Sequence, residues 1–417
     1  MNDCAKPLGA ARPPEGAQEP REGSAAHAVA SVGAPLLPGS TLGVLGGGQL
    51  GRMFVHQAQA MGYFTAVLDA DPTSPAGRVS HHHIETGYED TEGLAELARL
   101  SDAITTEFEN VPAAALAVLA AQRPVSPAAS AVAVAQDRAL EKAHFVRCGV
   151  PCAPYAVITS AEELAAIPTN LLPGILKTAR MGYDGKGQVR VQTAAELTAA
   201  WASVGQVPCV LEKMLPLALE CSVIVARGAD GATVHLPVQR NLHRDGILAV
   251  TEVFEGNLPQ VLIDSSVAAA LSIANGLRYV GVLCVEFFVL EDGSLVVNEI
   301  APRPHNSGHY SQNACDVSQF ELQVRTLARL PLTQPRQHSP AIMLNLLGDL
   351  WFARGDTAQT PPWADVLRLA GTHLHLYGKQ DAKRGRKMGH LNITGATPEA
   401  ARATALQAAA VLGIAPF

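Results

Sequence analysis

Between Cys284 and His309 the chain reads CVEFFVLEDGSLVVNEIAPRPHNSGH, and two apolar runs flank the dipeptide Asp292-Gly293. Asp-Gly between strand-like runs is a strong hairpin signal, because both residues accept the positive φ of a two-residue type I′ turn. A turn there sets the register. Glu291 faces Ser294, Leu290 faces Leu295, Phe288 faces Val297, and Glu286 faces Glu299. Directly opposed residues share one face of a sheet, with Cβ atoms about 5 Å apart. Two like charges so placed repel, so the pair demands compensation. A shared proton would serve, or a divalent cation, or one carboxylate turning to solvent or to an arginine. One or two carboxylates together with substrate phosphates are the usual surroundings of magnesium.

The chain has 417 residues, enough for two or three domains with a large core. A hydrophobic share of 48% and a charged share of 17% describe a soluble globular protein, and no apolar run is long enough to span a bilayer. The formal net charge of −7 offers no basic footprint for nucleic acid. Seven cysteines at irregular spacing fit reduced thiols in the cytosol, not a disulfide framework. Cys148 and Cys152 form a C-x-x-x-C, which matches no zinc or redox spacing.

Residues 1–39 are rich in Ala, Pro and Gly without hydrophobic periodicity and read as a disordered tail. They lack the basic start and apolar core of a secretory signal. A short strand, Thr41 to Leu45, then runs into Gly46-Gly47-Gly48-Gln49-Leu50-Gly51, a helix, a second strand ending at Leu68, and Asp69. That fits the dinucleotide fingerprint, G-x-G-x-x-G at a strand-to-helix turn with an acid roughly 20 residues on. The same glycines also serve tight packing in doubly wound domains. Ala103 to Thr106 reads as a further strand, ending in Glu107-Phe108-Glu109-Asn110 where α/β ligands bind. His81, His82 and His83 are adjacent and cannot converge on one ion from a strand. They read as surface or loop histidines.

Asp137-Arg138 opens a helix that Gly149-Val150-Pro151 ends, with a domain boundary nearby. A strand ending at Lys177 leads into Met181-Gly182-Tyr183-Asp184-Gly185-Lys186-Gly187-Gln188 and another strand. Glycines let backbone N–H groups approach phosphate and lysines supply charge. The loop is no Walker A motif, which needs G-K-[ST] and a following helix. It reads as a flap over ATP phosphates or as an exposed basic turn. Pro208 to Leu215 reads as a strand carrying Glu212, and Cys221 to Ala226 as a strand paired with Val234 to Val238. Asn241 to Ile247 reads as a polar loop. After a strand at His373 to Tyr377, the loop Asp381 to His390 holds Lys383, Arg384, Arg386 and Lys387. In an acidic protein such a cluster points to phosphate, which arginine grips bidentately. A solvated basic loop is the plain alternative.

Together the segments LGGGQLGRM (Leu45–Met53), TTEFENV (Thr105–Val111), MGYDGKGQ (Met181–Gln188), NLHRDGI (Asn241–Ile247), VNEIAPRPHNSGH (Val297–His309), SQFELQVR (Ser318–Arg325) and GRKMGHLN (Gly385–Asn392), with Asp137–Arg138, resemble the ATP-grasp carboxylate-amine ligases. The nearest resemblance is to the branch that carboxylates an aminoimidazole ribonucleotide in purine biosynthesis. It covers nearly all of the chain from Thr41 onward. It implies an α/β and α+β protein with an ATP-grasp fold: a Rossmann-like pre-ATP-grasp domain over residues 40–140, a small central flap domain over 141–212, and a C-terminal mixed-sheet domain over 213–417. It also implies a cytoplasmic homodimer that uses ATP, Mg2+ and bicarbonate as co-substrate.

The resemblance assigns sites residue by residue. ATP is expected at Arg138, Lys177 and the flap residues Gly182, Tyr183, Asp184, Gly185, Lys186, Gly187 and Gln188. It is also expected along Glu212, Lys213, Met214 and Leu215, and at Glu220, His243, Asn298 and Glu299. Magnesium is expected on Glu286 and Glu299. Many ATP-grasp enzymes carry an Asn two residues after the second Glu, where Ala301 stands here, leaving two protein ligands. The ribonucleotide is expected against Tyr183, Asp184, Arg303, His305, Asn306 and Ser307, with its 5′-phosphate at Lys379, Arg386 and Lys387. The family usually has Arg-Pro before Gly-Arg-Lys, and Lys383-Arg384 takes that place. Arg303, Asp184 and Lys177 are the expected catalytic residues, with Arg303 on the bicarbonate or carboxyphosphate anion. The competing classes are a nicotinamide dehydrogenase, a non-catalytic nucleotide-binding module, and a sister ATP-grasp ligase that activates formate or biotin-linked bicarbonate.

Overall fold

The structure, a computed structural model, describes residues 33–182 and 187–417. Most of the expected tail, and Tyr183, Asp184, Gly185 and Lys186 of the flap, lie outside the described residues. The tail ends earlier than its composition implies. Leu36 N–H donates to the Ala328 carbonyl at 2.9 Å, and its own carbonyl accepts from the Tyr63 hydroxyl at 2.8 Å. Leu36 thus packs against the folded body instead of trailing from it.

Among the described residues, three sheets follow one another along the chain. The first is four-stranded and parallel: β1 (Thr41–Leu45), β2 (Phe64–Leu68), β3 (His82–Ile84) and β4 (Ala103–Thr106), in the order β3-β2-β1-β4. Helices Gln49–Ala60 and Thr91–Leu100 make crossovers, which is why β1 and β4 are buried along nearly their whole length. The adjacent histidines diverge as expected: His81 Nδ1 faces the Thr65 N–H at 3.2 Å, and His83 Nε2 faces the Asp69 carbonyl at 3.1 Å.

The second sheet is antiparallel: β5 (Tyr155–Ile158), β6 (Gly174–Thr178), β7 (Gln188–Val191) and β8 (Cys209–Lys213), in the order β5-β8-β6-β7. The Gly-rich flap joins β6 to β7.

The third sheet has nine strands: β9 (Leu217–Arg227), β10 (Thr233–His235), β11 (Gln239–Arg244), β12 (Ile247–Val253), β13 (Gly281–Leu290), β14 (Leu295–Ala301), β15 (Ala341–Leu347), β16 (Thr372–Leu376) and β17 (Lys387–Thr394). Its order is β14-β13-β9-β11-β12-β15-β17-β16, with β10 also on β9. Helix Gln260–Gly276 covers one face, where Val285, Phe287 and Val289 of β13 are buried.

Two stretches expected to be loops are strands. Asn241–Ile247 forms the β11–β12 hairpin, turning at Asp245-Gly246 with φ of 50° and 77°. Hydrophobic periodicity misses β11 because its buried side chains are polar. Gln239 and Asn241 hydrogen-bond to Ser222, and Thr251 donates to Asn241. Likewise the basic loop ends at Arg386, and Lys387 to His390 already belong to β17.

The six described cysteines are free. Among the described residues no helix is long and apolar enough to cross a membrane.

Candidate active site

Glu286 and Glu299 are register partners on β13 and β14, as the sequence implies, but the path to that pairing differs. The turn is not two residues long. Leu290 N–H bonds the Ser294 carbonyl at 2.8 Å, so Glu291, Asp292 and Gly293 form a three-residue loop with Gly293 at φ 82°. This offsets the ladder by one, pairing Phe288 with Val296 and Phe287 with Val297. A bulge between Val297 and Glu299 then takes up Asn298 and restores the expected pair. Because side chains alternate, an unbulged β14 would turn Glu299 toward the same core as Leu295 and Val297. The bulge sends Ile300 into that core instead and leaves Glu299 beside Glu286.

Each carboxylate has a nitrogen donor beside it. Glu299 Oε2 accepts from Arg138 at 3.0 Å, and Glu286 Oε1 lies 3.0 Å from His305 Nε2. Burial works against the charge on Glu286, but His305, His243 and Arg303 outweigh it and hold the group down at about 2. Asn298 Oδ1 is buried without a hydrogen-bond partner among the described residues. The pair therefore offers hard oxygen donors on one face, each with one oxygen already engaged. That donor chemistry suits magnesium.

β14 is the edge of the sheet, and helix Arg138–Arg147 covers it. Asp137 caps this helix by accepting from Ala139 and Leu140 N–H. Residues at i, i+3 and i+4 share a helix face, which brings Arg138, Glu141 and Lys142 onto β14 together. Arg138 takes Glu299, Glu141 accepts the Ile300 N–H at 2.7 Å, and Lys142 donates to the Asn298 carbonyl at 2.8 Å. Burial, with Glu299 adding repulsion and Lys142 and Arg138 opposing, raises Glu141 to about 8. Sequence reasoning found Arg138 and missed Glu141 and Lys142. Charges at helical spacing read as a solvated face, yet Lys142 is 0% exposed.

Lys142 also reaches Glu212 Oε1 at 3.3 Å, while Lys177 holds Glu212 Oε2 at 3.0 Å. Burial lowers the Lys177 ammonium, with Glu212 opposing; the same two lysines keep buried Glu212 below its usual range. Glu220 and His243, 23 residues apart in the chain, meet in an ion pair across β9 and β11. Burial disfavours the imidazolium of His243, but Glu220, with Glu286 and Glu299 behind it, raises it overall.

Arg303 pairs through Nε with Glu109 and donates from Nη1 to the Pro304 carbonyl at 3.0 Å. Glu109 is driven to about 2 by Arg303 despite its burial. Ser307 is buried against Ser222 at 2.8 Å, and Asn306 Nδ2 is buried without a partner among the described residues. Lys379 donates to the Lys387 carbonyl at 2.6 Å, and Arg386 to the Asp381 carbonyl at 3.0 Å. Lys387 adds to the field that lowers Glu109, so the basic segment borders the Arg303 side. Arg384 instead stacks on Phe352 and faces Asp356. Met214 N–H bonds the Pro173 carbonyl just beyond Lys213, and Leu215 follows in the link to β9. Gly182 and Gly187 flank the undescribed part of the flap, and Gln188 pairs with Lys177.

The Gly46–Gly51 turn is already occupied by the chain itself. Gly48 and Gly51 N–H donate to Glu107 at 2.9 and 3.1 Å, and Gly47 N–H to Asp69 at 2.7 Å. A Cβ on Gly48 would stand 2.6 Å from the Glu107 carboxylate. The glycines admit this internal carboxylate, and the N–H groups that would cradle a pyrophosphate are spent on it.

Three segments of the chain match known domain families. Residues 40–136 match a ribonucleotide synthetase preATP-grasp domain, 143–320 an ATP-grasp domain, and 341–404 a phosphoribosylaminoimidazole carboxylase C-terminal domain. The chain is 43% identical to N5-carboxyaminoimidazole ribonucleotide synthase of Brucella melitensis, over 85% of this chain and 96% of that protein. It is 38% identical to the Bacillus subtilis enzyme, over 86% and 92%. Among solved structures, an ADP complex of an N5-carboxyaminoimidazole ribonucleotide synthetase superposes with a TM-score of 0.83 at 39% identity, covering 90% of this chain and 97% of the other. The Aspergillus clavatus enzyme with ADP and 5-aminoimidazole ribonucleotide superposes at 0.81 and 30% identity, covering 90% and 99%.

Proposed function

The chain belongs to the N5-carboxyaminoimidazole ribonucleotide synthase family of ATP-grasp enzymes, and on that premise we propose how its residues divide the work. The protein is a ligase of purine biosynthesis that uses ATP to carboxylate 5-aminoimidazole ribonucleotide on its exocyclic amine. Bicarbonate is the carboxyl source. The observation that carries the reading is the Glu286–Glu299 pair, flanked by Arg138 and His305 and continued along the chain by Arg303.

Bicarbonate is a poor electrophile until it is phosphorylated. One of its oxygens attacks the γ-phosphorus, the bond to ADP breaks, and carboxyphosphate forms. Such a transfer needs positioning and charge neutralisation more than covalent help. Lys177, Arg138 and the flap amides provide this from the protein. Magnesium on Glu286 and Glu299 would neutralise phosphate oxygens of the bound nucleotide. Lys142 and Glu212 keep the Lys177 ammonium in place.

Arg303 holds the carboxyphosphate anion. Its Nε is fixed by Glu109 and its Nη1 by Pro304, which leaves Nη2 for the substrate. The amine nitrogen then bonds the carboxyl carbon as the bond to phosphate breaks, either directly or after release of CO2 in the closed site. Asp184 or the departing phosphate accepts the amine proton. The ribonucleotide lies against Tyr183, His305, Asn306 and Ser307, with its 5′-phosphate at Lys379, Arg386 and Lys387. A closed flap excludes water, which would otherwise hydrolyse the anhydride. The enzyme acts as a homodimer in the cytoplasm.

ADP release measured with ATP, bicarbonate and 5-aminoimidazole ribonucleotide tests the assignment. Turnover should depend on bicarbonate and on the ribonucleotide. If the ribonucleotide has no effect while formate with glycinamide ribonucleotide stimulates, the substrate assignment is wrong.

A further inference from the structure

Beside the carboxylate pair stands a group of a different chemical character. Among the described residues, one set of three or more His, Cys, Asp and Glu side chains brings its ligand atoms together: Cys284, Glu286 and His305, all within 4.8 Å of one another. Cys284 and Glu286 are two apart on β13, so both side chains leave the same face of the strand. His305 reaches them from the turn after β14, and its Nε2 is already 3.0 Å from Glu286. In a tetrahedral zinc site, bonds of about 2.0–2.3 Å hold neighbouring ligand atoms about 3.5 Å apart. Small side-chain rotations therefore close the set.

The donors are one sulfur, one nitrogen and one oxygen. Magnesium takes oxygens, whereas thiolate with imidazole selects zinc, cobalt or cadmium. His305 Nδ1 accepts the Ser307 backbone N–H at 3.3 Å, which orients the ring and turns Nε2 toward Glu286. Ser307 Oγ lies 3.0 Å from His305 Nδ1, and Ser222 backs Ser307 at 2.8 Å. Three protein ligands leave a fourth position for water, as in open zinc sites.

We propose that Cys284, Glu286 and His305 form a site for a thiophilic divalent cation, and that Glu286 is shared with the magnesium position. On binding, the Cys284 sulfur bonds the metal as its proton passes to the buffer. A zinc ion there takes Glu286 away from the magnesium pair, so such metals act as inhibitors.

The test uses the full-length protein and cobalt(II) alone, without nucleotide or magnesium. Wild type should bind one equivalent and develop a thiolate-to-cobalt charge-transfer band in the near ultraviolet. Cys284→Ala and Cys284→Ser should lack the band and bind cobalt at least tenfold more weakly, while circular dichroism shows both folded. Glu286→Gln should keep the band and lose at least tenfold in affinity. No band in wild type, or a band that survives in both cysteine variants, overturns the proposal. Since the assay involves no turnover, its failure is separate from failure of the carboxylation reading.

Discussion

Glu286 stands across the ladder from Glu299 because the bulge at Asn298 cancels the one-residue offset of the Glu291–Gly293 loop. Deleting either irregularity would turn Glu299 into the apolar core. The site is thus built into the strand pairing itself, and a rigid sheet holds the two carboxylates, not a loop.

Glu299→Gln should lower turnover by at least about 10²–10³-fold, the scale for losing one preorganised charged contact at a transferring group. Folding should change by less than about 1 kcal/mol. Glu299 is 39% exposed, and an ion pair at such a site contributes little. Initial rates and urea unfolding read the two effects separately, and a large loss of stability would make Glu299 structural.

Lys142→Met should destabilise the protein by about 3 kcal/mol, because it leaves buried Glu212 with one lysine and the Asn298 carbonyl without its donor. Lys213→Met, at the half-buried end of β8, serves as the control and should stay within about 1 kcal/mol by the same unfolding measurement.

Glu141 gives a pH signature. Its folded pKa, about 8, lies above the ordinary 4.5, so the folded protein holds this proton more tightly than the unfolded chain. The resulting stability is fully present below about pH 4.5 and is lost as pH rises toward 8, at up to about 1.4 kcal/mol per unit. Glu141→Gln cannot titrate and keeps an oxygen for the Ile300 N–H. The stability of Glu141→Gln relative to wild type should therefore climb between pH 5 and 8. Urea unfolding of both proteins at pH 5, 6.5 and 8 checks this, and a flat difference would contradict it.

His375 has the opposite sign. Burial, with His373 adding to it, lowers it to about 4, so it contributes stability above its ordinary 6.5 that is lost as pH falls toward 4. His375→Gln retains an amide for Asn313 and should shift acid unfolding to lower pH, followed by circular dichroism.

Arg386→Ala should raise KM for the ribonucleotide by about 10–100-fold, the size of a lost hydrogen bond to a charged group, with a smaller change in kcat. Steady-state kinetics at saturating ATP and bicarbonate measure the split.

Motifs with local physics were legible in the sequence. The parallel strands, the Gly-rich turn and Arg138 at a helix start follow from short-range rules; the facing of Glu286 and Glu299 does not, because it rests on a three-residue loop and a compensating bulge. What escaped needed the third dimension. Asp292-Gly293 forms a three-residue loop while Asp245-Gly246 forms the two-residue turn, a choice the dipeptide itself does not encode. β11 looked like a loop because its buried side chains, Gln239 and Asn241, are polar and pair with Ser222 and Thr251. Lys142 and Glu141 looked solvated because their partners lie more than 150 residues away on an edge strand. The fingerprint Gly46–Gly51 matched a nucleotide turn whose occupant proves to be Glu107.

The central claim is that ATP phosphorylates bicarbonate at this site before the amine is carboxylated. The direct measurement uses bicarbonate labelled with oxygen-18, with ATP and 5-aminoimidazole ribonucleotide, and mass analysis of the phosphate produced. Attack of a bicarbonate oxygen on the γ-phosphorus leaves that oxygen on phosphorus, so each phosphate should carry one labelled atom. Phosphate without label, formed in step with carboxylated product, would contradict the account.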